Sequence, residues 1–267
     1  MAILTVSRAC GSGGSEIGRA VATALDYDYV DRQDILSHIR AAGERWEEWG
    51  RGLDEHCPTT WEKYDWSFRG FGALLQSAVL NHAANDRVVI IGMGANFLLK
   101  DIPQALRIHV VGPVELRIER VMKRDSIDRK TARRLIEKKD GDRSCFVRSL
   151  YGKRWEDAEE YNLVLDMGSL TIEKATDQVI AALSEKERFN SRENRKLVQM
   201  RAAAGAIKAG LLIDPSLHVT TLDVEYDGEL ILLRGVVHSP AEHKRVADAA
   251  AKLAGKLPLK CELHYRV

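Results

Sequence analysis

The chain is short of several things, and each shortage narrows what it can be. Its 267 residues hold 4 cysteines, 6 prolines and 6% aromatics. Cys10, Cys57, Cys145 and Cys261 are scattered and none has metal-ligand spacing, so nothing in their pattern points to a metal site and reduced thiols are expected. The formal net charge is +1, so bulk charge gives no reason to expect a nucleic-acid partner. No apolar run approaches the length needed to cross a bilayer. Met1-Ala2-Ile3-Leu4 enters a strand directly, without the charged and apolar regions of a secretory signal, which points to the cytoplasm.

What is present is organised around Ser7-Arg8-Ala9-Cys10-Gly11-Ser12-Gly13-Gly14-Ser15-Glu16-Ile17-Gly18. The apolar run Ile3-Leu4-Thr5-Val6 leads into it, and a helical pattern from Ile17 to Leu25 leads out. Strand, glycine loop and helix in that order form a phosphate cradle: glycines let backbone N–H groups turn inward, and the helix N-terminus adds partial positive charge. An ordinary strand-to-helix turn is the simpler account, but Gly11, Gly13 and Gly14 together exceed what a turn needs. Walker A spacing, G-x-x-x-x-G-K-[ST], would fall on Arg8, Gly13, Gly14 and Ser15, so the first glycine and the lysine are missing. A Rossmann fingerprint fits worse, because Glu16 stands where its third glycine belongs.

Further along, Tyr27 to Val30 is a short strand ending in Asp31-Arg32. Residues 33–72 are irregular and carry Trp46, Trp49, Trp61 and Trp66, as expected of an insertion over a pocket or of a small helical subdomain. Phe71 to Ala84 has helical spacing. Val88 to Ile91 is a continuous apolar run, the mark of a strand buried on both faces, and Gly92 and Gly94 follow it. Ala105 to Val111 is a second buried strand. Helices are expected over Val114–Arg124 and over Arg129–Lys139, the latter capped by Asp128 and strongly basic. Tyr161 to Leu165 is a last core strand and Ile172 to Leu183 a closing helix. Alternating strands and helices over residues 1–184 predict a three-layer α/β domain with a mostly parallel sheet.

A polar stretch over 185–194 marks a linker. Residues 195–267 then follow the order α-β-β-α-β, with Asp227-Gly228 as a hairpin turn and Ser239-Pro240 opening a helix. This is a small α+β domain with no evident catalytic constellation. His218, His238, His243 and His264 show no metal-like pattern.

Four motifs in order resemble the cytidylate kinase-like family, a branch of the P-loop nucleoside-monophosphate kinases. They are Thr5-Val6-Ser7-Arg8 with Gly11-Ser12-Gly13-Gly14, Tyr29-Val30-Asp31-Arg32, Val89-Ile90-Ile91-Gly92-x-Gly94-Ala95-Asn96-Phe97, and Tyr151-Gly152…Trp155…Tyr161-Asn162-Leu163-Val164-Leu165. The resemblance implies a P-loop kinase core with a nucleotide-binding insertion and an arginine-bearing lid, acting with ATP and Mg²⁺ on a CMP-like nucleoside monophosphate. It implies that Gly11, Ser12, Gly13, Gly14 and Ser15 hold the ATP phosphates, with Ser15 a possible Mg²⁺ ligand. Asp31, Arg32, Gly92 and Gly94 would border the acceptor, and Arg143, Arg148 and Arg124 would act on the transferring group. Three departures stand out: Ala9 where relatives carry Glu, Ser15 where they carry a basic residue, and Met93 where they carry Arg. A non-catalytic nucleotide sensor on a kinase fold is therefore the alternative expectation. The C-terminal segment resembles a BON domain through Val224-x-x-Asp227-Gly228-x-Leu230-x-Leu232-x-x-Gly235-x-Val237, which implies a phospholipid or protein partner.

Overall fold

The computed structural model describes residues 2–44, 46, 49–50, 57–59, 65–217, 219 and 221–265. Its larger sheet contains β1 (Ile3–Arg8), β2 (Asp28–Val30), β3 (Val88–Ile91), β4 (Ala105–Val111) and β5 (Leu163–Asp166), in the order β2-β3-β1-β4-β5. All neighbouring pairs are parallel. β1 and β3 can sit inside the sheet because their apolar residues serve both faces. Ile3, Val88 and Ile90 belong to the core on one side, while Leu4, Val6, Val89 and Ile91 belong to the core on the other. Helices α1 (Gly14–Leu25) and α7 (Ile172–Glu187) cover the second face, and α2 (Arg32–Arg40) and α3 (Trp66–Ala84) cover the first. The three-layer α/β architecture expected from the alternation is the observed one.

The remaining helices of this half frame the carboxyl ends of the strands. They are α4 (Ala95–Leu98), α5 (Val114–Asp125) and α6 (Arg129–Tyr151). Asp128 caps α6, accepting from the N–H groups of Lys130 and Thr131 at 2.9 and 3.1 Å. The helix does not stop near Lys139, as its basic stretch suggested, but continues over Gly141 to Tyr151. The Gly141 position is open, with no atom near an added Cβ, so the glycine marks no break. The segment after Asp31 is also more regular than expected, since α2 starts there. Of its tryptophans, Trp46 is buried against Gly70, the Trp49 ring lies tilted against Phe68 at 5.7 Å between centroids, and Trp61 lies outside the described residues.

The C-terminal part comprises α8 (Arg192–Ile213), β6 (Thr221–Tyr226), β7 (Ile231–Val237), α9 (Pro240–Ala254) and β8 (Leu259–Tyr265), in the expected α-β-β-α-β order. β6 pairs antiparallel with β7, and β7 parallel with β8. Asp227 accepts from the N–H groups of Glu229 and Leu230, and Gly228 has φ +112°, which a glycine tolerates in this turn. His218 lies outside the described residues.

α3 and α8 pack against each other and share one apolar core with the small sheet. Both helices bury apolar side chains around their circumference, as helices must when they are covered from several sides. Among the described residues, no helix is long and apolar enough to cross a membrane.

Candidate active site

β1 ends at Arg8, flanked by β3 and β4, so the chain leaves the sheet where ligands of open α/β sheets bind. The loop that follows is held open by its glycines. Gly11 and Gly13 have φ of +76° and +92°. A Cβ on Gly11 would meet the Arg117 carbonyl at 2.8 Å, and one on Gly14 would meet Arg8 Cβ at 2.5 Å. Gly13 is the N-cap of α1 and supplies no side-chain capping bond. Ser12 is buried and its hydroxyl has no partner. First-turn amides without a cap and an orphaned hydroxyl are what a bound phosphate would satisfy.

The missing lysine is answered by arginines from other elements. Arg8, Arg120, Arg124 and Arg143 line one cleft with Gly11, Gly13, Gly14 and Ser15. Arg120 donates to the Ser12 carbonyl at 2.7 Å. Arg124 holds Asp125 through two bonds of 2.7 Å, and this pairing raises its pKa. Neither Arg120 nor Arg117 was singled out from sequence. The available signal was their spacing with Arg124: positions i, i+3 and i+7 share one helix face.

Asp140 ties α6 to the loop. Its carboxylate accepts from the Cys10 N–H at 2.7 Å and from Arg117 Nη1 at 2.6 Å. Arg117 also donates to the carbonyls of Gly112 and Cys10. Arg143 Nη1 donates to the Arg8 carbonyl at 3.0 Å and lies 3.4 Å from Asp140.

A second cleft shares Arg8 and Arg143 with the first. Arg32, Leu36, Phe71, Leu75, Gly92, Met93, Gly94, Asn96, Asp142 and Phe146 contribute to its walls. Gly92, Met93 and Gly94 all have positive φ, of 73°, 56° and 69°. Glycine is needed on either side of Met93 for close approach: an added Cβ would lie 2.2 Å from Arg8 Nη1 at Gly92 and 2.1 Å from the Tyr151 ring at Gly94. The Tyr151 hydroxyl donates to the Met93 carbonyl at 2.7 Å, and burial raises its pKa. Arg32 donates to the Gly50 carbonyl at 2.5 Å. Two polar atoms of this cleft are buried without partners, Asn96 Nδ2 and Asp142 Oδ2.

The structure thus brings Gly11, Gly13, Gly14, Ser15, Arg124 and Arg143 to one cleft and Arg32, Gly92, Gly94 and Arg143 to the other. Three expected residues line neither cleft, and the first, Ser12, is buried in the loop between Gly11 and Gly13. Asp31 lines neither cleft; it caps α2, accepting from the Gln33 N–H at 2.8 Å while Asp34 accepts from its own N–H at 2.9 Å. Arg148 is exposed in the last turn of α6 and lines neither cleft, because residues 143 and 148 of a helix point in different directions.

Beneath the clefts, Trp155 Nε1 donates to Ser7 Oγ at 2.7 Å and the Tyr161 hydroxyl donates to the Trp155 carbonyl at 2.7 Å. His109 packs on both rings, and burial lowers its pKa to about 4. The same burial raises Tyr161 to about 12. The thiols are not all free: Cys57 and Cys145 form a disulfide, which corrects the expectation of reduced cysteines, while Cys10 and Cys261 are unpaired.

The profile of the cytidylate kinase-like family matches residues 3–169. The chain belongs to the cytidylate kinase-like family. The match covers both clefts and ends before α7, leaving the C-terminal part outside it. No curated protein matches the chain. Among solved structures, an uncharacterized protein from Eubacterium ventriosum is 22% identical, with a TM-score of 0.51 over 69% of this chain and 99% of its own. A sugar kinase from Janibacter is 17% identical, with a TM-score of 0.45 over 72% and 99% of the two chains. A shikimate kinase from Acinetobacter baumannii is 15% identical, with a TM-score of 0.40 over 70% and 95%. The first of these likenesses concerns the fold alone.

Proposed function

We propose that this member of the family is an ATP-dependent nucleotide kinase, moving the γ-phosphoryl group of ATP to a CMP-like nucleoside monophosphate. One observation carries the reading: Arg8 and Arg143 line both clefts, so a group passing between them stays beside the same two cations. Phosphoryl transfer needs in-line positioning and charge stabilisation more than covalent participation by the protein. Gly11 to Ser15 hold the ATP phosphates, with Arg120 and Arg124 at the rim. Arg32, Gly92 and Gly94 border the acceptor.

Mg²⁺ bound with ATP supplies neutralisation of the phosphate charge. The donor set fits such an ion, because Ser15 and Glu16 place exposed oxygens in the phosphate cleft. Among the described residues no group of three acidic, histidine or cysteine ligands could hold a metal by itself, which suits an ion that takes its other ligands from phosphates and water.

The test is ADP formation from Mg-ATP by the full chain, with CMP, dCMP, UMP and AMP offered separately and Gly13→Asp as the blank. Turnover with one acceptor, lost in the variant, supports the kinase and names its substrate. ATP binding without turnover favours a second reading, a non-catalytic nucleotide sensor. That reading draws on Arg117 and Arg143, whose donors here serve Asp140 and backbone carbonyls.

We further assign the protein to the cytoplasm and residues 195–267 to a BON-like interaction module that takes a phospholipid or protein partner rather than nucleic acid. Co-sedimentation with anionic vesicles, with and without nucleotide, tests the lipid arm. Binding that ignores nucleotide would sink any coupling between the two halves.

A further inference from the structure

A third cleft uses a different face of α6. Asp140, Gly141 and Ser144 line it, whereas Asp142, Phe146 and Val147 line the acceptor cleft. Among the described residues it shares only Trp155 with the acceptor cleft and only Ala9 with the phosphate cleft. Its floor is the β4–β5 edge of the larger sheet, where His109 and Val164 are paired neighbours and share a face. Ile108, Val110 and Leu165 point to the other face, into the core that α1 covers, so the cleft opens on the side of the sheet opposite α1. The cavity holds about 510 Å³, within the range of about 300–1,000 Å³ typical of small-molecule sites.

Three features of this cleft are not accounted for by the protein's own packing. The His109 ring is 4% exposed, and its Nε2 has no partner. Burial lowers its pKa to about 4, so at neutral pH the imidazole offers one N–H and one lone pair. The exposed Glu156 carboxylate makes no hydrogen bond or ion pair among the described residues. Gly141 stands mid-helix, where glycine is unfavourable, and an added Cβ would meet nothing within 4 Å. Packing does not require that glycine; close approach of a ligand to the helix backbone does. The cation of the cleft, Arg117, is answered by Asp140 at 2.6 Å and by the carbonyls of Gly112 and Cys10. With Glu156 besides, the charge balance is negative, so a phosphate is not the ligand. A compact ammonium would leave the imidazole and the apolar Val111 and Val164 unmet. A flat ring bearing N–H donors meets all of them. We propose that the third cleft binds an amino-bearing nucleobase as its free, uncharged nucleoside: the amino group donates to Glu156, a ring nitrogen meets His109 Nε2, and the base lies against Gly141.

This site does not rest on the kinase reading. The full chain is saturated with ADP and CMP, to fill the other two clefts, and titrated with cytidine, adenosine and uridine by calorimetry. The His109 ring resonances, assigned through His109→Phe, are followed by NMR. Glu156→Gln removes the charge at an exposed position, and Gly141→Leu fills the cleft while favouring the helix. The expected result is that cytidine and adenosine bind beside both nucleotides and shift the His109 ring. Uridine, whose base edge sets one N–H between two carbonyls, should bind more weakly. Each variant should weaken cytidine by about tenfold or more, the scale of a hydrogen bond to a charged group, and leave ADP binding unchanged. Absence of nucleoside binding overturns the site. So does displacement by ADP or CMP, an unmoved His109 ring, equal binding of uridine, or undiminished cytidine binding in both variants. If ADP and CMP bind nowhere on the wild-type chain, the kinase reading fails, and the nucleoside titrations with the two variants still decide the third cleft.

Discussion

Arg143 Nη1 donates to the carbonyl of Arg8 at 3.0 Å, so a side chain of α6 is hydrogen-bonded to the last residue of β1, where the glycine loop begins. Among the described residues, the two arginines are the ones common to the two clefts. Their cationic groups come from elements far apart in sequence, and the hydrogen bond fixes the Arg143 guanidinium against the Arg8 backbone.

Arg143→Ala should therefore lower kcat/KM for phosphoryl transfer by about 10²–10³, the cost of removing one donor aimed at developing charge. Arg143→Lys should recover only part, because an ammonium cannot hold the Arg8 carbonyl and face a phosphate in the same fork geometry. Steady-state kinetics with saturating ATP checks this. An alanine variant with wild-type turnover would remove Arg143 from the chemistry.

Gly94→Ala should destabilise the fold by about 1–3 kcal/mol, through a strained left-handed backbone and overpacking. The new Cβ would sit 2.1 Å from the Tyr151 ring. Tyr151 holds the Met93 carbonyl from the end of α6, so the substitution should also loosen α6 from the β3–α4 turn. Urea midpoints compare the two proteins. Gly141→Ala, at an open position, is the control and should be neutral or stabilising.

His109 makes a prediction about pH. Its pKa is lowered to about 4 by burial against Trp155 and Tyr161, while an unfolded histidine titrates near 6.5. Between those values the unfolded chain binds the proton and the folded chain does not. The contribution is complete above about pH 6.5 and is lost as pH falls towards about 4. Its full size is on the order of 3 kcal/mol. His109→Phe keeps a ring in place and removes the titration. The wild type should lose that much more unfolding free energy than the variant between about pH 7 and about pH 4, measured by urea denaturation. Parallel losses in the two proteins would show that His109 is not held neutral.

Much of this arrangement was legible in the sequence, for physical reasons. β1 and β3 announce themselves because a strand buried on both faces must be apolar without alternation. Gly11, Gly13, Gly92 and Gly94 were legible because glycines close-spaced after such strands signal positive φ and close approach. Partnerships across long separations were not legible. Arg120 and Arg117 were lost in a generally basic region, although their spacing with Arg124 carried the signal. Asp31 follows a strand and precedes a helix, where an acceptor-side carboxylate and an N-cap look alike in sequence; its bonds to Gln33 and Asp34 show that it serves as the cap. The pairing of Cys57 with Cys145 has no local signature at all.

The polar stretch before α8 suggests that residues 195–267 could be removed, and the packing argues against it. Gly205 of α8 lets that helix approach Ser77 and Leu80 of α3, with an added Cβ lying 3.6 Å from Ser77 Cα and 3.2 Å from Leu80 Cδ1. Val198, Ala202, Ile207 and Leu211 join Leu74, Ala78 and Leu80 in a single core. The connection is pinned as well, since Asn190 donates to Asp86 and Gln104 donates to the Asn194 carbonyl, each at 3.2 Å. Cutting before α8 would expose apolar surface of α3 that its own domain cannot cover, and each large aliphatic side chain returned to water costs about 1.5–3 kcal/mol. A chain ending at residue 190 should show a lowered urea midpoint and concentration-dependent aggregation, whereas the full chain should unfold in one cooperative transition. An unchanged midpoint on truncation, or two separate transitions in the full chain, would instead make the C-terminal part an independent module tethered to the kinase core.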